Sequence, residues 1–330
     1  MPKKYIYATL IFIAVCLVLV SALTFAIGRE GGKSEEVYSQ KLASESYCML
    51  VTGRDRVSGL CDVMMLVSFD PSNSRICVLQ IPRDTYALYG SGGYRKINGA
   101  QRALGEDGLC ELLEESLGVK IDGYLSLDLS GFRELVDLIG GVEIELDQPI
   151  KYSDPSQDLR IDLESGRQTL DGKQAEMFVR YRSGYQRGDL DRLDAQKKFL
   201  AALFASLRQK VGISNAYELL QLALEHVDTN INPGLCVTLG LEALKVGENE
   251  LWFCTLPGED IVSRKSGASF YVMSKSPTQR LLSEYFGAEG ELDGMGIFLN
   301  GDDRDFREIY QKDGEIEMIS AQALEKTKKD

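Results

Sequence analysis

The sequence predicts an α/β fold: a layered domain with a central, mostly apolar mixed β-sheet flanked by helices, preceded by one transmembrane helix. Three observations carry this. Apolar patterns of strand length and of helix length interleave along the chain, which favours layered α/β architecture over all-β or all-α. The run MMLV at 64–67 is apolar on both alternating faces, as expected of a central strand covered on both sides. Residues 5–27 form an uncharged, mostly apolar run of 23 residues, where a bilayer-spanning helix needs roughly 20.

Lys3 and Lys4 precede that run, whereas Gly28, Arg29 and Glu30 follow it. The lysine bias puts residues 1–4 in the cytoplasm and everything after about Gly28 outside. A cleaved signal peptide usually carries an apolar region of only about 7 to 15 residues, so an uncleaved anchor at 5–27 is expected. Residues 28–45 open with the polar, glycine-rich GREGGKSEEVY, the composition of a flexible tether. The globular domain is expected at 46–285, followed at 286–330 by an acidic, weakly patterned extension without a functional signal.

Within the domain, Tyr47–Thr52 and Val63–Phe69 are apolar runs of strand length. DPSNS at 70–74 supplies turn chemistry, and Ile76–Ile81 completes a hairpin before Pro82. Leu109, Leu112, Leu113 and Leu117 recur at helical spacing, with Gly118 as the expected C-terminal cap. A strand is expected at Gly123–Leu129. Ser130 then caps a helix with buried stripe Phe132, Leu135, Val136 and Ile139, closed by Gly140 and Gly141. VEIEL at 142–146 alternates strictly, residues 147–170 read as a polar loop, a long helical pattern runs from Leu193, and Trp252–Leu256 reads as another strand. The greasy face of that long helix is either plain core or the wall of a lipid tunnel, and core packing is the simpler expectation.

Composition narrows the function. With 37 Lys and Arg against 50 Asp and Glu, the net charge is −13, which argues against a nucleic-acid partner, since affinity for phosphate backbones comes from clustered cations. Of seven cysteines, Cys16 lies in the anchor and the other six are scattered with no CxxC spacing, so buried free thiols are expected. The single histidine, His226, ends the amphipathic pattern ELLQLALEH and reads as a helix-terminal cation more than as a catalytic base. There is no GxxxxGK[ST] and no GxGxxG after a strand, which disfavours nucleotide binding by those routes.

Against this acidic background, Phe178–Gln196 reads FVRYRSGYQRGDLDRLDAQ, with four arginines and three aspartates. Taken alone it reads as a salt-bridged surface loop. A second basic island, Arg83, Arg95, Lys96 and Arg102, occupies 80–102 against only Asp84. With Arg180, Arg182 and Arg192 these cations suffice to neutralise a diphosphate, because guanidinium forks match phosphate oxygens. Asp55 and Asp62 flank one short turn between strands, and two carboxylates converging there suit a magnesium ion whose other ligands are water and substrate phosphate.

The ordered series GRD ending at Asp55, CDVMMLVSFDP, IPRDT at 81–85, KINGA at 96–100, LDLSGFRELVDLIGGVEI, and LDGKQAEMFVRYR running into GDLDRLDAQ resembles the LytR-CpsA-Psr (LCP) family of membrane-anchored glycopolymer transferases, over roughly Tyr47–Pro257. The resemblance implies an α/β phosphotransferase that moves a glycopolymer (teichoic-acid-like, capsular or another secondary wall polymer), with one phosphate, from a polyprenyl diphosphate carrier onto a peptidoglycan hydroxyl at the outer face of the cell membrane. It further implies that Asp55 and Asp62 hold Mg2+, with Mn2+ as a substitute. Arg83, Lys96, Arg180, Arg182, Arg192 and Gln196 would bind the diphosphate, and Asp189 or Asp191 would buttress the arginines or help activate the acceptor. Two positions depart from the family: Ala195, where arginine is frequent, and Cys61, commonly serine or another small polar residue. The alternatives are a noncatalytic anchored module that binds or regulates the envelope, and a lipid diphosphate hydrolase using the same site.

Overall fold

The computed structural model describes residues 46–54, 60–91, 94–154, 159–181, 189–210, 216–264, 266–292 and 304–326. The expected anchor at 5–27 and tether at 28–45 lie outside these; among the described residues no helix is long and apolar enough to cross a membrane.

Seven strands build the main sheet: β1 (Tyr47–Arg54), β2 (Cys61–Asp70), β3 (Arg75–Ile81), β4 (Gly123–Asp128), β5 (Val227–Thr229), β6 (Leu251–Thr255) and β7 (Met318–Ser320). Their order is β5-β4-β1-β2-β3-β6-β7. β1 runs parallel to β4 and β3 parallel to β6, whereas β2 is antiparallel to both its neighbours, as are β5 to β4 and β7 to β6. The sheet is therefore mixed, and the C-terminal ends of β1, β3, β4 and β6 share one edge with the start of β2.

The DPSNS turn joins β2 to β3 as its composition predicts. Asp70 accepts from Asn73 N at 3.2 Å and Asn73 Nδ2 at 2.7 Å, and pairs with Arg75 Nη2 at 3.1 Å. Ser74 takes the left-handed conformation, φ 47°. β2 is apolar on both faces because both are covered: Met65, Val67 and Phe69 enter one core with Phe132, Phe199 and Phe204, and Met64 and Leu66 enter the other with Leu79, Leu113 and Leu281.

The helices are α1 (Ala100–Leu117), α2 (Leu129–Leu138), α3 (Gly172–Arg180), α4 (Asp189–Lys210), α5 (Ala216–His226), α6 (Pro233–Lys245), α7 (Lys275–Tyr285), α8 (Arg304–Tyr310) and α9 (Ala321–Lys326). α2 to α6 contribute to the first core and α1, α7 and α8 to the second. Gly118 closes α1 in the left-handed conformation, φ 64°. α4 begins at Asp189, earlier than the apolar pattern from Leu193 suggests, and buries Phe199, Leu200, Leu203, Phe204 and Leu207 as ordinary core.

Three expectations need correction. The cap of α2 is Asp128, whose carboxylate accepts from Gly131 N at 3.0 Å, and Ser130 instead donates its hydroxyl to that carboxylate at 2.6 Å. Residues 147–170 are not a plain loop: Ile150–Asp154 pairs with Leu159–Leu163, and Gly166–Leu170 pairs with Val142–Leu146. Alternate residues Ile161, Leu163 and Leu170 are buried, which is what makes these polar-looking segments ribbons. Residues 304–326 also join the fold, since β7 extends the sheet beside β6 and α8 buries Phe306 and Tyr310 in the second core. Phe306 meets the Tyr86 ring edge-on at 4.7 Å.

α3 starts against α2, where a Cβ on Gly172 would lie 2.3 Å from Arg133 O and 2.7 Å from its Cα. Gly172→Ala must push backbone apart, and a loss of about 1–3 kcal/mol is expected. Urea unfolding of variant and wild type measures this; an unchanged midpoint would contradict such close packing.

Candidate active site

The pairing of β1 with β2 shifts register at its end. Gly53 pairs with Val63 and Arg54 with Cys61, so Asp62 is the extra residue of a β-bulge at the sheet edge. Bulges re-aim a side chain locally and recur beside active sites. Asp55, one residue beyond Arg54, lies outside the described residues. Among the described residues no three His, Cys, Asp or Glu side chains converge as a metal cage.

β3 ends in Ile81-Pro82-Arg83-Asp84, and the turn after it is tied down by Thr85 N and Oγ1 donating to Pro82 O at 3.0 and 2.6 Å. Asn98 N donates to Arg83 O at 3.1 Å, which lays the KING segment alongside. Asp84 then joins two predicted cations: Lys96 Nζ is 2.7 Å from its Oδ2 and Arg83 Nε 3.8 Å from its Oδ1. Arg95 and Arg102 of the same island are exposed.

The other cations come from α3 and α4. A capping box of Asp171 and Gln174 starts α3, and Arg180 ends it. Arg180 Nη1 is 2.5 Å from Glu176 Oε1, one helical turn back, and Glu176 Oε2 also pairs with Arg133 Nη1 at 3.1 Å. On α4, Arg192 and Gln196 are each 1 % exposed, and Gln196 Nε2 donates to Val179 O at 3.4 Å. Lys197 is buried and held by Asp194 at 2.9 Å. Asp189 is the first residue of α4 and Asp191 is half-buried. Arg182 lies outside the described residues.

A cavity of about 340 Å³ lies between α4 and the C-terminal end of β6. Leu190, Asp194 and Lys197 of α4 line one side, and Thr255, Gly258, Glu259 and Tyr271 another. Tyr271 N donates to Asp84 O at 2.8 Å, so the Arg83–Asp84 loop is fastened to the cavity wall. Lys312, Asp313 and Glu315 from the C-terminal residues complete the rim. The sequence reading missed Glu176, Lys197 and the buried Gln80 of β3. Glu176 is four residues before Arg180, a spacing that could have marked it.

His226 sits elsewhere in function. Its Nδ1 is 3.2 Å from Asp128 Oδ1 and 3.5 Å from Ser130 Oγ, its Nε2 is 3.3 Å from Glu134 Oε2, and Ser130 donates to Asp128 Oδ1 at 2.6 Å. A serine hydrolase holds its hydroxyl and its carboxylate on opposite ring nitrogens, whereas both meet Nδ1 here, so this cluster pins α5 to α2. The six described cysteines are free, and burial pushes the Cys110 and Cys236 thiols up to about 12, leaving them protonated at neutral pH.

These features define an α/β protein with Arg83 and Lys96 just beyond β3 of a mixed sheet and Arg180, Arg192 and Lys197 on α3 and α4. The family described as LytR_cpsA_psr matches residues 23–286, and the chain belongs to that family. It is 34 % identical over 179 residues to the polyisoprenyl-teichoic acid–peptidoglycan teichoic acid transferase TagV of Bacillus subtilis (strain 168), a match covering 52 % of this chain but only 45 % of TagV. TagU of Oceanobacillus iheyensis, with the same described activity, is 29 % identical over 258 residues, covering 76 % of this chain and 78 % of TagU. The crystal structure of B. subtilis TagV superposes with a TM-score of 0.64 at 25 % identity over 74 % of this chain and 99 % of that one. TagT bound to LIIa-WTA gives a TM-score of 0.62 at 21 % identity over 75 % and 92 %, a likeness of fold.

Burial alone would raise the Asp128 carboxyl, but hydrogen bonds from Ser130, Gly131 N and His226 outweigh it and hold the group below its ordinary 3.8. A carboxyl lowered on folding contributes stability above its unfolded pKa and loses it as pH falls through the folded value. Asp128→Ala should cost about 0.5–2 kcal/mol near neutrality, as for a lost helix cap, with the gap to wild type closing below pH ~4. Thermal melts across pH measure this, and a gap constant down to acid would refute the ionised cap.

Proposed function

We propose that this chain is a magnesium-dependent phosphotransferase that moves a glycopolymer from a polyprenyl diphosphate carrier onto peptidoglycan. The observation that carries the reading is a cavity with the Arg83–Asp84 loop, which also holds Lys96, tied to its wall through Tyr271, and with α4, which carries the buried Arg192 and Gln196 and is bonded to the Arg180 end of α3, on its other side. Phosphoryl transfer asks for positioning and neutralisation of charge more than for covalent work by the protein. The transferase activity for which TagV and TagU are named supports a teichoic-acid-like donor and a peptidoglycan acceptor.

In this reading Arg83 and Lys96 hold the diphosphate from the β3 side, Arg180, Arg192 and Gln196 hold it from α3 and α4, and Arg182, between those helices in sequence, joins them. The acceptor hydroxyl oxygen forms a new bond to the phosphorus that bears the glycan. The P–O bond to the bridging oxygen breaks, polyprenyl monophosphate leaves, and Asp189 or Asp191 takes the hydroxyl proton or buttresses the arginines. Asp55 and Asp62 would hold the cation; the bulge at Asp62 and an all-oxygen donor set suit Mg2+, with Mn2+ as a substitute. When bound, the ion would neutralise charge on the phosphate oxygens. The apolar run at 5–27 would anchor the chain, single-pass with its N-terminus cytoplasmic, and present the domain outside the cell.

The test supplies the full chain in micelles with a polyprenyl-diphosphate glycan, Mg2+ and peptidoglycan oligomers, and follows products by mass spectrometry. A phosphodiester-linked adduct is expected; free glycan phosphate would make the chain a hydrolase, and binding without turnover an envelope-binding module. Arg83→Ala and Arg180→Ala should each lower transfer about 10²- to 10³-fold. Wild-type rates in both would remove these arginines from the site.

A further inference from the structure

Gln80 is the one polar side chain in the β3 row Ile76, Val78, Gln80, and it is fully buried. Its backbone is satisfied: its carbonyl accepts from Leu256 N at 2.8 Å, and the strand pairs it with Met65 and Thr255. Its carboxamide is not, for neither Nε2 nor Oε1 finds a hydrogen-bond partner among the described residues. A buried amide stripped of water and left unmet destabilises a fold, and an apolar side chain of similar size in its place would not. The fold alone therefore gains nothing from glutamine at this position.

The position says what it awaits. Ile76 and Val78 of this row share one core with Phe199, Leu200 and Leu203 of α4. Both rows turn polar toward the same edge, β3 at Gln80 and α4 at Gln196 and Arg192. Thr255, the strand neighbour of Gln80, lines the cavity together with Asp194 and Lys197 of α4. Gln196 Oε1 is likewise buried without a hydrogen bond. Two incompletely bonded carboxamides thus close the same layer from the sheet side and from the helix side.

We propose that Gln80 is a further ligand-contacting residue of this site, its Nε2 donating to a non-bridging oxygen of the donor's diphosphate. The inference rests on the phosphotransferase reading and adds a neutral donor from the sheet to the cations above.

The test measures affinity and melting temperature of the full chain, wild type, Gln80→Leu and Gln80→Met, with geranylgeranyl diphosphate and with inorganic pyrophosphate, in Mg2+. Without ligand both variants should melt at or above wild type, because the unmet amide is gone. Affinity for both probes should nevertheless fall about tenfold, the share of one hydrogen bond to a charged group, and the ligand-induced rise in melting temperature should shrink with it. That opposition between stability and affinity is what a purely structural glutamine would not produce. Unchanged affinity in both variants would mean the amide holds a trapped water only and would overturn the inference alone. No binding of either probe by wild type would overturn the phosphotransferase reading and this inference with it.

Discussion

Cations taken out of water must be compensated, and this structure keeps several of them dry at one end of an apolar layer. Arg192 is 1 % exposed, the Arg180 side chain 9 % and the Lys197 side chain 7 %. An ammonium or guanidinium loses much of its hydration on such burial, so a carboxylate or an anionic ligand has to stand beside it. Glu176 serves Arg180 and Arg133 together, Asp194 serves Lys197, and Asp84 serves Lys96 and Arg83. These pairs fix the cations in place before any substrate arrives. Preorganisation of this kind is how a site stabilises charge without reorganising during the reaction.

The topology decides where that end lies. β2 runs against both neighbours at the centre of the sheet, so its start meets the C-terminal ends of β1 and β3. The bulge at Asp62 and the start of the Arg83 loop lie at the same edge for that reason. α4 crosses to the same edge, with Leu190 and Asp194 facing Thr255 across the cavity. The C-terminal residues then wall it: β7 seals the edge of β6, and Lys312 to Glu315 form part of the rim. This portion lies beyond the segment matched by the family, residues 23–286.

Much of this was legible from residues alone where the signal was local. The doubly apolar MMLV, the DPSNS turn and Gly118 each encode their structure within a few positions, and each formed as expected. The candidate site residues stood out as an ordered series of short motifs, because arginines and lysines are conspicuous in an acidic chain. What was missed depends on tertiary pairing. Asp128 and Ser130 are both able caps, and the choice fell to Asp128 because its carboxylate also receives His226. The ribbons within 147–170 carry so few buried residues that their alternation hides among polar ones. Gln80 is invisible in VLQI, since only the packed sheet reveals that its amide is buried with no partner in reach.

The proposed geometry seats a diphosphate between the Arg83–Lys96 loop and the α3–α4 cations. A crystal structure of the protein with a short polyprenyl diphosphate and Mn2+, its metal located by anomalous scattering, tests it. The two phosphorus atoms are expected within contact of Arg83 on one side and Arg180 and Arg192 on the other, with manganese at Asp55 and Asp62. Diphosphate bound away from this edge, or manganese held by other residues, would contradict it.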